Sequence, residues 1–252
     1  MAKHIARKRF GQNFLADDKI IEQIIKTIAA KKNDNILEIG AGQGALTLPL
    51  LLRLERLNVI EIDRDLVKLL NSFKHKNLTV HQADVLKFDL SKIPAPMRIV
   101  GNLPYNISSP ILLHFLAHRD KIIDMTFMLQ KQVVERITAK NGSKIYGRLS
   151  VILQAFFEME MVFTVPPEAF SPAPKVDSAI IYLKPLKKPL AKNIYLLQKI
   201  VKAAFSKRRK TLRNCLKSLL IQEQTSIELS QRAEMLSVAD FVKLTNDYEK
   251  TL

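Results

Sequence analysis

Positions 35 to 45 read Asn35-Ile36-Leu37-Glu38-Ile39-Gly40-Ala41-Gly42-Gln43-Gly44-Ala45. The segment up to Ile39 is mostly apolar and predicts a strand, and an apolar helical run from Leu46 to Leu54 follows the turn. Three of the chain's seven glycines fall in this turn, so the backbone can approach a ligand at the amino end of the helix. The stretch predicts an α/β fold with a nucleotide-type loop, with a plain tight turn as the alternative.

The loop alone leaves the cofactor open. It satisfies Gly-x-Gly-x-x-Ala, so it does not separate NAD from other adenosyl cofactors. A second strand, Asn58 to Ile62, carries Glu61, where a carboxylate accepts both hydroxyls of a ribose. A third strand, Leu78 to His81, precedes Asp84, which is suited to a cofactor's adenine amino group if it is not simply a surface turn residue. Since NAD sites rarely use a carboxylate there, Asp84 disfavours a dehydrogenase.

A later loop places polar groups between a strand and a helix. It reads Gly101-Asn102-Leu103-Pro104-Tyr105-Asn106-Ile107-Ser108-Ser109-Pro110 and lies between the β-prone Met97 to Val100 and a helical run that begins at Ile111. It is therefore predicted at the carboxyl end of a strand, where open α/β sheets bind ligands. The Asn102 side-chain oxygen and the Leu103 and Pro104 carbonyls can accept hydrogen bonds from a planar exocyclic amine, and Tyr105 offers a ring face to its base.

This loop predicts chemistry at an amino group. The nitrogen of an adenine amine is a poor nucleophile because its lone pair is delocalised into the ring. Holding it in line with an electrophilic methyl group is a matter of positioning and electrostatics, and a strong general base is not required. An ordinary proline-containing loop is the alternative.

The net charge of +16 is concentrated in two segments. From Lys184 to Lys217 there are twelve basic and no acidic residues, and Lys3, Arg7, Lys8 and Arg9 precede the first acid. Outside these segments 24 basic residues balance 24 acidic ones, which indicates a surface for a polyanion rather than general solubility. The phosphate-binding residues that we predict, on a helix spanning 206–214, are Arg208, Arg209, Lys210 and Arg213. The basic segment Asn141 to Arg148 is a second candidate, or an ordinary connector.

The chain changes character near Pro185. Residues from about 187 onward show only helical periodicity, including Ile227 to Leu236, so we predict one domain over 1–186 and a helical domain over 187–252. Before this boundary, a proline-rich loop from Pro166 to Pro174 lies between two predicted strands and can hold Phe170 outward, unless that ring only packs the loop. The single cysteine and the lack of an apolar run of roughly 18 residues predict a cytoplasmic protein without a membrane span.

Several of these stretches together are similar to one family. They are Phe10 to Leu15, Leu37 to Thr47, Val59 to Asp65, Gly101 to Ser108 and Phe170 to Ser178. In order and spacing they resemble the KsgA-type (RsmA) rRNA adenine N6-dimethyltransferases, from about residue 7 to the C-terminus. The resemblance implies a Rossmann-like class I methyltransferase with a seven-stranded sheet and a small all-helical C-terminal domain. Ala41 stands where family members often have proline, which leaves the glycines of the turn intact.

The resemblance also implies a set of site residues. Its expected cofactor is S-adenosylmethionine, with no metal, and the expected cofactor-binding residues are Asn13, Leu15, Gly40, Gly42, Glu61, Asp84 and Asn102. The expected catalytic residues are Asn102, Leu103, Pro104, Tyr105 and Phe170, with the Tyr105 and Phe170 rings on either side of a flipped adenine. The segment Phe10 to Leu15 is expected to form a flap over the ligand or a tethered arm.

The implied function is dimethylation of two adjacent adenines in the 3′-terminal hairpin loop of 16S rRNA, by a monomer acting on the immature 30S subunit during its biogenesis. Three alternatives remain open. An Erm-type enzyme would methylate large-subunit rRNA with the same loops. A ribosome assembly or transcription factor would use the fold only to bind nucleic acid. An NAD enzyme is disfavoured because no His, Lys or Tyr is placed for hydride chemistry near the glycine-rich loop.

Overall fold

The computed structural model describes residues 13–219 and 225–252. The first half of the predicted flap, Phe10 to Gln12, and the basic residues from Lys3 to Arg9 lie outside the described residues. The described strands are β1 Phe14–Leu15, β2 Ile36–Ile39, β3 Leu57–Glu61, β4 Leu78–Gln82, β5 Met97–Asn102, β6 Ile122–Gln130, β7 Phe157–Val165, β8 Phe170–Ser171 and β9 Ser178–Pro185. The described α-helices are α1 Asp18–Ile28, α2 Thr47–Leu51, α3 Arg64–Ser72, α4 Ser108–Ala117, α5 Lys131–Thr138, α6 Arg148–Gln154, α7 Ile194–Ala204, α8 Leu212–Cys215 and α9 Val238–Glu249.

Seven of these strands form one sheet in the order β4-β3-β2-β5-β6-β9-β7. The five strands from β4 to β6 are mutually parallel, and β9 is antiparallel to β6. All four residues of β2 are buried, as expected for a central strand covered on both faces by helices. The carboxyl ends of the parallel strands meet at one edge, so the loops after Ile39, Glu61 and Asn102 converge there. The seven-stranded sheet implied by the resemblance is confirmed.

Helix starts in the first half of the chain follow local capping chemistry. Asp17 is the N-cap of α1, and its carboxylate accepts hydrogen bonds from the Lys19 and Ile20 amides at 2.8 and 3.1 Å. Asp63 caps α3 in the same way by accepting from the Asp65 amide. The sequence predicts a cap at Asp17 or Asp18 for the first helix and caps at Asp63 and Asp65 for the later one, because these aspartates stand close before apolar helical patterns.

The chain divides into two compact units. The first contains residues 1–134 and 160–184, and the second contains residues 135–159 and 185–252. The second unit thus includes a segment that the predicted boundary between 186 and 187 left in the first domain. The reason is local packing: the Leu186 amide donates to the Phe156 carbonyl at 2.8 Å, and the Leu190 amide donates to the Ala155 carbonyl at 2.9 Å. The end of α6 therefore belongs with the helical part of the chain.

The helical unit has an aromatic centre and two segments that differ from expectation. The Phe205 ring stacks on that of Phe241, with 5.6 Å between the ring centroids. It meets the Tyr146 ring edge-on, with a centroid distance of 6.2 Å. The predicted helix over 206–214 is wrong in its first half: residues 206–211 form turns, and α8 starts only at Leu212. These six residues include no apolar side chain, so a helix there would have no face to bury. The predicted helix over 227–236 is also wrong, apart from a short 3-10 turn at Ala233–Met235.

The carbonyls of the second segment serve α8 instead. The Leu212 amide donates to Gln231 and the Arg213 amide donates to Leu229, at 2.8 and 2.9 Å. These bonds satisfy two amides that the start of a helix leaves without an intrahelical acceptor. Within residues 13–219 and 225–252 no helix has both the length and the apolar composition that crossing a bilayer requires.

Candidate functional site

The glycine-rich turn opens a cavity at the carboxyl edge of the sheet. Gly40 follows β2 with φ +69, a left-handed conformation that favours glycine, and its amide donates to the Ile60 carbonyl at 2.8 Å. A Cβ atom at Gly101 would clash with the Ile39 carbonyl, so β2 and β5 approach closely just below the turn. The cavity is a partly open cleft whose walls come from the loops after β2, β3, β4 and β5.

The predicted cofactor-binding residues come together here. Those that line the cavity are Asn13, Leu15, Gly40, Gly42, Glu61, Asp84 and Asn102. Apolar side chains that were not predicted line the same cavity and include Ile62, Leu66, Val85 and Ile111. They give the cavity apolar walls, which suit a purine, beside the carboxylates of Glu61 and Asp84. The donor and acceptor set therefore fits an adenosyl cofactor.

Glu61 connects the end of β3 to the glycine-rich turn. Its carboxylate accepts hydrogen bonds from the Gly42 amide at 3.1 Å and from the Asp63 amide at 2.9 Å. Burial raises the pKa of Glu61, and the hydrogen bonds from the backbone amides oppose this shift. A carboxylate has about four acceptor positions, so both oxygens keep capacity for ribose hydroxyls. Glu61 is thus held in place by the loop that the cofactor would contact.

Asp84 is placed at the neighbouring strand end. One carboxylate oxygen accepts from the Leu86 amide at 3.0 Å, which fixes the turn after β4. Asp84 is partly exposed and lines the cavity beside Val85. The second oxygen keeps capacity to accept a hydrogen bond, so the predicted contact of Asp84 with the amino group of a cofactor adenine stays a prediction.

Glu38 is a cavity residue that the sequence interpretation missed. It lies in β2, is 2% exposed, and accepts a hydrogen bond from the Thr47 hydroxyl at 2.7 Å. Burial raises the pKa of Glu38 to about 7; the Thr47 hydrogen bond opposes this and the nearby Glu61 adds to it. An acidic residue inside an otherwise apolar strand, immediately before a glycine-rich turn, was the available signal.

Asn102 is the last residue of β5 and projects at the cavity. The side-chain nitrogen, Nδ2, donates to the Asn13 backbone carbonyl at 3.2 Å, which leaves the side-chain oxygen available as an acceptor. The following residue, Leu103, donates its own amide to the Met128 carbonyl at 3.1 Å, so the start of the loop is tied to β6. The Pro104 carbonyl accepts from the Ile107 amide at 3.2 Å, so one of the two predicted main-chain acceptors already serves the turn.

Tyr105 is half-buried and lines the cavity, as predicted. Its hydroxyl hydrogen bonds to the Ser178 hydroxyl at 2.6 Å. Burial raises the pKa of Tyr105 and the Ser178 hydrogen bond opposes this shift, so the ring is neutral near pH 7. A neutral, fixed ring suits stacking against a base.

Phe170 is placed differently from the other predicted residues. It is 5% exposed and belongs to the hydrophobic core cluster that also includes Leu15 and Ala169. Its backbone pairs with Leu15 in the two-stranded sheet of β1 and β8. Among the described residues that line the cavity, Phe170 is absent. The sandwich of an adenine between Tyr105 and Phe170 therefore stays a prediction.

The predicted RNA-binding residues are all exposed on the helical unit. Arg208, Arg209 and Lys210 lie in the turns before α8, and Arg213 lies on α8. The Arg208 guanidinium donates to the Lys144 carbonyl at 3.1 Å. This bond joins the basic loop around residues 140–147 to the basic turns, so two segments that looked separate in sequence share one surface of the helical unit.

Comparison with known proteins places the chain in a family. The family model described as ribosomal RNA adenine dimethylase matches residues 3–250. A relative from Nitrosospira multiformis named Ribosomal RNA small subunit methyltransferase A is 51% identical, with 98% of each chain covered. A protein of the same name from Aromatoleum aromaticum is 50% identical, covering 98% of this chain and 95% of the relative.

Solved structures agree with the sequence relatives. A dimethyladenosine transferase from Plasmodium falciparum has a TM-score of 0.81 and 27% identity, covering 94% of this chain and 98% of the other. The 23S rRNA methyltransferase ErmE has a TM-score of 0.71 and 27% identity, covering 94% and 100%. The predicted class I methyltransferase fold and S-adenosylmethionine as methyl donor are thereby confirmed. Since the family model and the relatives extend over nearly the whole sequence, the chain belongs to the ribosomal RNA adenine dimethylase family.

Proposed function

We infer that the protein transfers methyl groups from S-adenosylmethionine to the exocyclic N6 atoms of two adjacent adenines in the 3′-terminal hairpin loop of 16S rRNA, four transfers for each RNA. The observation that carries this is the continuity of one cavity. Its lining runs from Glu61 and Asp84, suited to an adenosine, to Asn102 and Tyr105, suited to an amine-bearing base. The names of the relatives at 50% and 51% identity support the small subunit as the source of the RNA.

The side chains would act mainly by binding and orientation. Bound S-adenosylmethionine supplies a methyl group on a sulfonium, which is electrophilic without a metal. Glu61 would hold the ribose hydroxyls and Asp84 the adenine amine of that cofactor. The Asn102 oxygen would accept a hydrogen bond from the target amine, so that the nitrogen lone pair faces the cofactor rather than solvent.

Tyr105 would supply one face for the extruded adenine, and Phe170 the other. For this the Phe170 ring, now 5% exposed in the core cluster, has to present a face towards the base. The cost of exposing part of a buried phenyl ring is about 1–2 kcal/mol, which base stacking of about 1–3 kcal/mol offsets. Phe170 is therefore the residue of the predicted set whose role depends most on RNA binding.

The helical unit would hold the folded RNA by its phosphates. Arg209, Lys210 and Arg213 are exposed cations, as contacts to the phosphate backbone require. Each phosphate contact that is removed should lower the slope of log affinity against log salt by about 1. Arg209→Ala should therefore reduce this slope, whereas Lys32→Ala, at an exposed lysine paired with Glu55 on the sheet unit, should not. If the parent and both variants gave the same slope, Arg209 would not contact RNA phosphate.

The direct test is mass spectrometry of rRNA after incubation with the protein and labelled S-adenosylmethionine. We expect two dimethylated adenines near the 3′ end of the small-subunit RNA in immature 30S particles. The same assay with naked large-subunit RNA tests the Erm-type alternative. Methylation of the large-subunit RNA alone would overturn the proposal.

The remaining parts of the proposal concern the setting of the reaction. We propose that the protein acts as a monomer in the cytoplasm on an assembling small subunit. A factor that only occupies RNA would bind immature 30S particles without incorporating label. Binding assays run beside the methylation assay therefore separate a catalytic role from occupancy alone.

A further inference from the structure

Ser178 is a buried hydroxyl with a specific partner in the substrate region. The residue has no exposed surface, and its side chain hydrogen bonds to the Tyr105 hydroxyl at 2.6 Å. A polar side chain that is fully buried is expected to make its hydrogen bond, and losing the partner of such a bond costs about 1–3 kcal/mol. The two hydroxyls therefore determine each other's position.

The sheet holds Ser178 rigidly. It is the first residue of β9 and pairs with Gln130, the last residue of β6. The next residue along the chain from Gln130, Lys131, donates its amide to the Asp177 carbonyl at 3.0 Å and pairs its ammonium with the Asp177 carboxylate at 3.5 Å. Ser178 is thus clamped by backbone bonds on both sides of its position, at the carboxyl edge of the sheet.

The same strand, β6, also positions Asn102. Asn102 pairs with Met128 of β6, and the Leu103 amide donates to the Met128 carbonyl. Asn102 and Ser178 therefore both pair with β6, at Met128 and Gln130, which are two residues apart. Through its hydroxyl, the Tyr105 ring is connected to the same frame.

The hydrogen bond to Ser178 acts on the Tyr105 ring itself, at its outer end. The described hydrogen bonds of the Tyr105 backbone include that from the Ser108 hydroxyl to the Tyr105 carbonyl at 3.2 Å, and this bond orders the main chain only. A phenol ring on a main-chain anchor still rotates about two side-chain torsions, and the second is broad. A hydrogen bond at the far end of the ring restricts both torsions, which preorganises the stacking surface.

We propose that Ser178 is a positioning residue: it fixes the plane of the Tyr105 ring, and so the angle at which the stacked adenine presents its amino nitrogen beside Asn102. The proposal rests on the function inferred above. Tyr105 contacts the base, whereas Ser178 acts on the reaction only through Tyr105. The segment from Phe170 to Ser178 then contributes to the substrate site at its second end, independently of where the Phe170 ring lies.

A double-mutant cycle tests this. Ser178→Ala removes one hydroxyl and Tyr105→Phe removes the other while keeping the ring. We expect each to lower kcat on immature 30S particles by roughly tenfold, with the KM for S-adenosylmethionine within about twofold of the parent value. Since both changes remove the same bond, the double variant should be no slower than either single variant.

The matched control is Thr126→Val. Thr126 is a buried hydroxyl of β6, 3% exposed and without a hydrogen-bond partner, so this change removes a hydroxyl from the same sheet without breaking a bond to the site. Its kcat should equal that of the parent, and the melting temperatures of all variants are measured alongside. If Ser178→Ala does not fold, Tyr105→Phe alone decides, because it leaves the sheet unchanged.

Parent-like kcat in Tyr105→Phe or in a folded Ser178→Ala protein would overturn the proposal, as would losses that multiply in the double variant. These outcomes are distinct from failure of the proposed function. If the parent protein does not methylate small-subunit RNA, the function fails before any variant is compared. If the parent methylates it and the variants do so equally well, only the role of Ser178 fails.

Discussion

Polar groups at the amino ends of the parallel strands are paired with one another, whereas those at the carboxyl ends keep unused hydrogen-bonding capacity. At the amino ends, Arg98 joins three elements: its Nε donates to Asp124 at 2.9 Å, one terminal nitrogen donates to Asp34 at 2.8 Å, and the other donates to the Ile28 carbonyl at 2.7 Å. Tyr182 donates to the same Asp124 at 3.3 Å. We call these four residues, Asp34, Arg98, Asp124 and Tyr182, the basal cluster. Its charges are paired, and those of Arg98 and Asp124 have little contact with water.

At the carboxyl ends, the polar groups keep unused capacity. Glu61 accepts only backbone amides, the Asn102 oxygen faces the cavity, and Glu38 is a buried carboxylate whose hydrogen-bond donor is the Thr47 hydroxyl. Buried groups with unused capacity cost stability and are retained where a ligand completes them. The difference indicates that the basal cluster serves folding, whereas the cavity end serves binding and chemistry.

The largest expected effect is on folding, from Arg98→Ala. This change leaves the buried Asp124 and the partly exposed Asp34 without their common partner, which should lower the free energy of unfolding by about 3 kcal/mol, most of it from Asp124. Urea titration measures this. The matched control is Lys26→Ala, which breaks the exposed pair of Lys26 with Glu22 and should cost less than about 0.5 kcal/mol. A loss in Arg98→Ala as small as that of the control would contradict the assignment of the basal cluster to stability.

The next effect is on catalysis without folding, from Asn102→Ala. Losing the amide oxygen that orients the target amine should lower kcat by at least about 1000-fold, some 4 kcal/mol, with little change in urea stability or RNA affinity. The matched control is Asn106→Ala, which removes an exposed amide from the same loop and should leave kcat near the parent value. Full activity in Asn102→Ala would refute the role given to this residue.

A third prediction concerns pH and the cost of keeping Glu38 buried. In the unfolded chain Glu38 loses its proton near pH 4.5, whereas in the folded protein it does so near pH 7. The folded state therefore binds more protons between these values, and the contribution of Glu38 to stability falls as pH rises through this window. Above about pH 8 the loss is complete, about 3 kcal/mol in all, and most of it falls between about pH 5 and pH 8.

Glu38→Gln should remove this dependence while its side-chain oxygen still accepts the Thr47 hydrogen bond. Relative to the parent, the variant should therefore be more stable at about pH 8 than at about pH 5, by the amount above. Urea titrations at both pH values measure the difference. If the stability difference between the two proteins does not change with pH, Glu38 is not protonated in the folded protein.

Features at the two ends of the parallel strands could be predicted from the sequence where the interacting residues are close together along the chain. Gly40, Glu61, Asp84 and Asn102 were predicted because each directly follows a strand pattern, and parallel strands bring their carboxyl ends together whatever lies between them. The capping residues Asp17 and Asp63 were predicted for the same reason, since a cap acts on amides two or three positions away.

The rest depends on contacts between distant segments. Arg98 meets Asp34 across 64 positions, and Tyr105 meets Ser178 across 73, and no local pattern specifies either pair. Phe170 was expected to project outward because prolines surround it, but pairing with Leu15 places it in the core cluster. The segment 206–211 was read as helix from its neighbours, although without an apolar face it had nothing to gain from helical packing.

The smallest expected effect distinguishes the two ends by one atom each. Tyr182→Phe removes a hydroxyl from the basal cluster, as Tyr105→Phe does from the cavity. Asp124 keeps both bonds from the Arg98 Nε, at 2.9 and 3.1 Å, so the loss should be only about 0.5–1 kcal/mol of unfolding free energy, with kcat unchanged. Tyr105→Phe should instead slow kcat, and because it leaves the buried Ser178 hydroxyl without its partner it should also cost about 1–3 kcal/mol of unfolding free energy. If Tyr182→Phe slowed methyl transfer as much as Tyr105→Phe, the two ends would be coupled and the division of labour between them would be wrong.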